Sequence, residues 1–418
     1  MSDGSVNARK RIFSFRKIGR KLILVWTVCM LAVLNGCWDL RYLDKLGVVY
    51  AIGVDDDPTG KNKLQLTVQV VLPQNVAAET KGAIGGTAVT TFTEKGDTLF
   101  EAIRKMSTKT SRRLFFSHTQ MLIVSESMAR KGIYPLVDLI ERNPDIRTDI
   151  SVLITRGMRA ENLLRLTTQT ESIPVNQLRE MVEVNQSAYA SNYVVLVKDL
   201  TRLLGRGKQQ AVLPSILIEG SKEMGHSNDN LNSIPAKAIP VLSTMAVFRD
   251  GKLVGYLKSK DSRGLSWLQN KVESTVVKLG CPESEGELIV EVQDTATVYK
   301  VKQDPDGHPI IQVHISVGGG IQEIMCHGVN ITEESVLIKI GKMTDKAIEE
   351  EVAGTINSVQ KKFHTDVLGW GKEIYFQKPN IWRKIEADWE DIFPQVKSEV
   401  ICTTQITGSG VRGESISK

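Results

Sequence analysis

Residues 46–72, LGVVYAIGVDDDPTGKNKLQLTVQVVL, hold two β-branched, apolar runs on either side of Asp57-Pro58-Thr59-Gly60. Such runs favour strands, and a connection this short leaves no room for a crossover helix, so the pair reads as antiparallel. The arrangement recurs twice. Residues 244–248 and 252–257 flank Asp250-Gly251, and residues 287–301 and 310–317 flank Asp304-Pro305-Asp306-Gly307. Helical periodicity fills the stretches between. The expected class is α+β, multidomain, with mixed or antiparallel sheets flanked by helices.

Outward from these hairpins, residues 77–88 read as a mobile Gly/Ala/Thr-rich loop. Residues 98–110 read as a helix, with Leu99, Ile103 and Met106 at helical spacing. Strands are expected at 120–124 and 149–155, and helices at 134–143, 160–167, 174–187 and 195–204. Residues 219–240 hold few large apolar side chains and many turn formers, which marks a linker. Beyond it, 265–272 reads as a helix. Residues 345–363 give the clearest helix of the chain, because Ile348, Val352, Ile356, Val359 and Phe363 form one apolar stripe. A short helix at 380–390 and a strand at 395–407 close the domain. The implied organisation is a lipoprotein-type signal peptide at 1–36 and an N-terminal α+β region at 37–218, with a possible division near 160–175. The linker, a C-terminal α+β domain at 241–408 and a polar tail at 409–418 complete it.

The chain has 418 residues, enough for two or three domains. Its 41% hydrophobic and 24% charged content is ordinary for globular proteins and excludes disordered and fibrous classes. The formal charge of +5 is concentrated at one end. Residues 1–36 carry seven bases against Asp3, so the rest of the chain is net −1. That balance gives no support to nucleic-acid binding.

The seven bases precede an uninterrupted apolar run at 22–34. Thirteen residues make about 20 Å of helix, short of the roughly 30 Å of a bilayer core but right for a signal-peptide core. The basic flank stays in the cytoplasm, and the chain beyond the apolar run is exported. Leu34-Asn35-Gly36-Cys37 then describes a bacterial lipoprotein cleavage box, in which the Cys37 thiol takes a diacylglyceryl group. Asn35 departs from the Ala, Ser, Thr or Val more usual there. An uncleaved signal anchor with an ordinary Cys37 thiol is the alternative. Two acyl chains would fix the body to a membrane surface, and Trp38 suits the headgroup layer.

No P-loop, strand–turn–helix G-x-S-x-G, H-E-x-x-H or dinucleotide fingerprint occurs, so no catalytic, cofactor-binding or metal residue is assigned. His308 and His314 would stand about 20 Å apart on an extended strand, too far to share a metal. His118 reads as a loop imidazole bonded to backbone. Gly318-Gly319-Gly320 reads as a bulge or flexible hairpin, and Glu349-Glu350-Glu351 as a solvated face near a helix start. Cys281, Cys326 and Cys402 allow one disulfide at most, and read more simply as small buried hydrophobes. Trp370, Trp382 and Trp389 fit either a contact surface or the edge of a core.

Cys37-Trp38-Asp39 through Leu43, with Leu46-Gly47-Val48-Val49 and Ala51-Ile52-Gly53-Val54-Asp55, resembles the start of the Ger(x)C family, the C subunits of spore germinant receptors. The likeness continues at Arg113-Leu114-Phe115, Ser117-His118, Gly132, Arg142 and Arg147. Ala246-Val247-Phe248, Leu253-Val254-Gly255-Tyr256-Leu257 and Arg263-Gly264-Leu265 extend it, as do Asp366-Val367-Leu368-Gly369-Trp370-Gly371, Pro379, Trp382, Trp389 and Phe393-Pro394. The resemblance implies several mixed α+β domains. It implies a non-enzymatic lipoprotein on the outer leaflet of the inner spore membrane, assembled with membrane-embedded A and B subunits. The one functional position it carries is Cys37, expected as an N-palmitoyl, S-diacylglyceryl cysteine.

Two other readings compete. A solute-binding lipoprotein of a transporter would alternate strands and helices in two parallel-sheet lobes, which the tight turns oppose. An exported hydrolase would need a nucleophile and base brought together from distant sequence.

Overall fold

The computed structural model describes Trp26 and residues 45–80, 87–204, 208–327 and 329–407. Cys37, the cleavage signal before it and the tail at 409–418 lie outside the described residues. The chain forms two units, Met1–Leu46 and Gly47–Lys418, and the second holds the three sheets.

β1 (Leu46–Asp55) and β2 (Leu64–Val71) form the expected antiparallel pair, and β3 (Val89–Gly96) extends it beyond β2. On its other side β1 runs parallel to β5 (Met121–Ser125), β5 to β6 (Ser151–Thr155) and β6 to β8 (Ser215–Gly220). β9 (Ala238–Leu242) closes that edge antiparallel to β8, and β4 (Arg113–Phe115) pairs with β1 off the main path. The centre of the sheet is therefore parallel, which tight turns could not announce, because parallel neighbours are joined through helices.

Burial on both faces explains the unbroken apolar sequence of β5. Leu122 and Val124 turn toward Leu99, Met106 and Ile133, while Met121 and Ile123 join Leu163, Val175 and Leu178 on the opposite face. β2 is also buried throughout, yet alternate positions are polar. The helix Ala160–Leu164 satisfies two of them. Gln65 Nε2 donates to Glu161 Oε2 at 2.7 Å and Gln69 Nε2 to the Leu164 carbonyl at 2.9 Å. Asp55 caps the same helix from β1, accepting the amides of Ala160 at 2.7 Å and Glu161 at 3.0 Å.

The first element of the loop expected at 77–88 is helical, since a helix spans Pro73–Thr80. The linker expected at 219–240 is folded too. It carries the helix Lys222–Gly225, a turn at Asn228–Asn230 and the start of β9. Buried Asn230 holds the excursion closed, donating to the carbonyls of Thr167 and Ala238 at 2.9 and 3.0 Å and accepting the Ala238 amide at 2.9 Å. Turn-forming residues here shape a loop of the sheet.

A second sheet places β10 (Ala246–Arg249) between β11 (Lys252–Tyr256) and β7 (Val212–Leu213). The third runs β12 (Thr275–Gly280), β13 (Glu287–Gln303), β14 (Pro309–Ile324), β15 (Lys397–Ile406). Its first three strands are antiparallel and β15 lies parallel to β14 after a long helical crossover. Gly318, Gly319 and Gly320 lie inside β14, opposite a bulge: Val292 pairs with Gly319 and Asp294 with Gly318, leaving Gln293 over. The bulge expectation holds and the hairpin does not.

The long helix spans Glu334–Ser358 and continues as a π-turn over Val359–Phe363, so it begins well before residue 345. All five stripe residues are buried, as their spacing requires. Glu349-Glu350-Glu351 consequently falls in mid-helix and is not a solvated face. Glu351 pairs bidentately with half-buried Arg263 at 2.6 and 2.7 Å, Glu349 accepts the Cys402 amide at 2.9 Å, and only Glu350 remains in an exposed pairing with Lys346. The neighbouring helix spans Ser259–Leu268 rather than 265–272. It crosses the long helix at Gly264, where a Cβ would collide with Thr355 Oγ1 and stand 2.9 Å from the Glu351 carbonyl.

Cys281 and Cys326 are not free thiols. They form a disulfide with Cα atoms 5.7 Å apart, joining the end of β12 to the chain leaving β14. Only Cys402 keeps the expected buried, unpaired state, its thiol pushed up to about 12 by burial. For a loop of 45 residues, chain entropy assigns the bond about 4 kcal/mol. Scanning calorimetry with and without reductant should show a lower melting temperature on reduction, matched by the Cys281→Ser/Cys326→Ser variant. Identical traces would mean that the bond contributes nothing.

The first hairpin is pinned by Asp57, which accepts from Thr59 N at 3.0 Å, Thr59 Oγ1 at 2.7 Å and Asn62 N at 3.0 Å. Lys95 Nζ on β3 lies 2.7 Å away. The Lys95 ammonium, then the turn donors, hold this carboxyl far below the usual carboxylate range against burial. Because the folded pKa is lowered, the stabilisation is present at and above that range and fades as pH falls toward the lowered value. Asp57→Asn should be most destabilising at neutral pH, with the gap to wild type closing on acidification, read as urea midpoints across pH.

Candidate functional site

Asp366-Val367-Leu368-Gly369-Trp370-Gly371 leads from the π-turn into the helix Trp370–Gln377. The first amides of a helix lack intrahelical partners. Asp366, fully inside the protein, supplies them. Its Oδ1 accepts the amides of Gly369 at 2.8 Å and Trp370 at 3.1 Å, and its Oδ2 accepts the Gly371 amide at 2.8 Å and Trp389 Nε1 at 3.1 Å. Burial pushes this carboxyl up to about 6, against the pull of the four donors. Gly371 must lack a side chain, since a Cβ would lie 2.8 Å from Trp389 Nε1 and 2.9 Å from the Lys208 carbonyl.

The three tryptophans resolve as core. Trp370, Trp382 and Trp389 are all buried, with Trp370 edge-on to Phe393 at 5.6 Å and Trp382 edge-on to Trp389 at 5.5 Å. The backbone of the Asp366 loop is in turn tied to sequence more than 150 residues away. The Gln210 amide donates to the Asp366 carbonyl at 2.8 Å, and Gln209 Nε2 to the Val367 carbonyl at 3.3 Å. Gln269 Nε2 reaches the same Val367 carbonyl at 2.6 Å.

Against this seam lies a cavity of about 290 Å³. One side comes from Tyr193, Val195, Leu203, Gln209 and Val212, and the other from Gln269, Lys271, Val367 and the exposed face of the helix Trp370–Gln377. Arg202, Lys208, Lys271 and Lys372 line it with one carboxylate, Asp199. Lys208 Nζ stands 3.0 Å from the centroid of the Tyr375 ring.

The other sequence candidates do not gather here. His118 is exposed and packs against the Phe115 ring at 5.7 Å rather than bonding to backbone. Asp304, Asp306 and His308 bring ligand-type atoms within 4.8 Å of one another, but in an exposed turn where Asp304 already accepts the His308 amide. His314 lies on β14, away from that turn. Sequence reasoning does not single out Asp366 as a hub, although Asp followed after two residues by Gly-Trp-Gly carries the signal of a helix start. Nothing local marks Lys208 or Gln209.

Two family descriptions match in succession: residues 39–218 fit the spore germination protein N-terminal domain, and 243–410 the spore germination B3/GerAC-like C-terminal domain. The chain belongs to the Ger(x)C family of germinant receptor C subunits. Among similar proteins, spore germination protein KC of Bacillus subtilis strain 168 is 29% identical over 402 residues, covering 94% of this chain and 97% of that one. Spore germination protein B3 of the same organism is 22% identical, covering 92% and 97%. The crystal structure of the GerBC protein matches with a TM-score of 0.53 over 88% of this chain and 100% of that one, at 16% identity, which shows a shared fold.

Three of the stretches that carry the Ger(x)C resemblance fasten parts together. Asp55 caps a helix across the sheet, Arg263-Gly264-Leu265 docks one helix on another, and the Asp366 loop holds the seam. Removing the Asp366 carboxylate would strand four buried donors, at about 1–3 kcal/mol for each left unmatched. Asp366→Ala should therefore lower the urea midpoint strongly, with Asp366→Asn intermediate because it keeps one acceptor oxygen. An unchanged midpoint in Asp366→Ala would refute the role.

Proposed function

We propose that this germinant receptor C subunit is a non-enzymatic lipoprotein, anchored through Cys37 and working by contact with membrane-embedded A and B subunits. The observation that carries the reading is the order of features at the start of the chain: a basic segment, a thirteen-residue apolar run, then Leu34-Asn35-Gly36-Cys37. The Cys281–Cys326 disulfide supports export, since such bonds persist in oxidising compartments. Among the described residues no helix is long and apolar enough to cross a membrane. The polar groups of the seam, Asp366, Gln209 and Gln269, are engaged in structural hydrogen bonds, which suits a protein that transmits contacts.

Anchoring raises the effective concentration of subunits that share the membrane, so weak contacts suffice for assembly. The subunit then occupies the exported side, expected as the outer leaflet of the inner spore membrane. Fatty-acid labelling and mass spectrometry of the N-terminal peptide test the anchor. Wild type should carry diacylglyceryl and acyl groups on Cys37, and Cys37→Ala should carry neither and should fail to co-purify with the A and B subunits from solubilised membranes. A bare thiol on the wild-type protein would overturn the reading.

A further inference from the structure

The cavity at the seam has a composition that structural needs alone do not explain. Arg202 is paired with Asp199 at 3.7 Å, but Lys208, Lys271 and Lys372 have no carboxylate partner among the described residues. Three unneutralised ammonium groups around one concavity repel one another, and that cost falls when an anion enters. Tyr193 is 7% exposed and lines the cavity, and its hydroxyl has no protein hydrogen bond among the described residues. Burial pushes that phenol far up, so it stays a neutral donor. Tyr375 and Phe376, 40% and 60% exposed, leave apolar ring surface at the mouth.

We propose that this cavity binds a small organic anion with a flat apolar body, its charge met by Lys208, Lys271 and Lys372, its oxygen by Tyr193 and its face by Phe376. The volume of about 290 Å³ stands at the lower end of small-molecule pockets, which run from roughly 300 Å³. An inorganic ion would satisfy the lysines but leave the aromatic wall uncovered. A neutral aromatic would do the reverse.

The walls come from segments far apart in sequence. Tyr193 and Lys208 precede the second sheet, whereas Lys372 and Tyr375 lie beyond the long helix. An occupant touching both would tighten the seam that Gln209 and Asp366 already hold. Occupancy of the cavity is independent of lipidation at Cys37.

The test is calorimetric titration of the full-length chain, in detergent, with phthalate, benzyl alcohol and inorganic phosphate. Phthalate should bind saturably and more weakly as salt is added, and the other two at least about tenfold more weakly. Lys208→Gln/Lys372→Gln should weaken phthalate about tenfold and Tyr193→Phe about fivefold, at unchanged urea midpoints. Lys271→Gln, on an exposed side chain, gives a second, single-site reading and should also weaken phthalate at an unchanged urea midpoint. No saturable phthalate binding, equal binding of benzyl alcohol, or affinity untouched by the lysine variants would overturn the proposal.

Discussion

Two residues of backbone, Val212 and Leu213, pair with Val247 and Ala246 and so complete a sheet whose other strands lie beyond the excursion at 219–240. Two residues later the same chain becomes β8 of the large sheet, which β9 then closes from the far side of that excursion. The stretch that matches the first family domain thus lends β7 to a sheet whose other strands belong to the second. Without β7, β10 would keep an open edge, and Val212 and Leu213 would lose the place in which they are buried. One continuous core, running from Val49 on β1 to Cys402 on β15, results from this interlock. The Asp366 loop, the indole cluster and the cavity beside them all sit where the interlock brings distant segments together.

Local pattern carried much of the architecture. The three hairpins, the apolar stripe of the long helix and the bulge at the triple glycine were legible, because each depends on residues close in sequence. What escaped depends on partners far away. Residues 334–344 include Val336, Ile338, Ile340 and Gly341, all weaker helix formers than Ala or Leu, and become helical by packing against β15. The disulfide escaped because spacing does not tell which thiols will face each other. The buried polar row of β2 escaped because its partners arrive from a helix nearly a hundred residues on.

The seam was half legible. The glycines and tryptophans around Asp366 carried family likeness, but the helix Trp370–Gln377 was not expected and the cavity could not be read from any one segment. Lys208, Lys271 and Lys372 are unremarkable lysines until the fold places them around one hollow. Charge totals mislead in the same way. The chain beyond residue 36 is net −1, yet a local surplus of positive charge survives within it.

The carboxylate of Glu349, seated on the Cys402 amide, bears on how this subunit can meet its neighbours. β15 is the outermost strand of its sheet and ten residues long, the sort of border onto which a foreign strand readily zips. With one of its outward donors already occupied and a negative charge planted beside it, that border is a poor template for polymerisation. Contact along this border is thereby steered toward side chains and away from strand-on-strand addition.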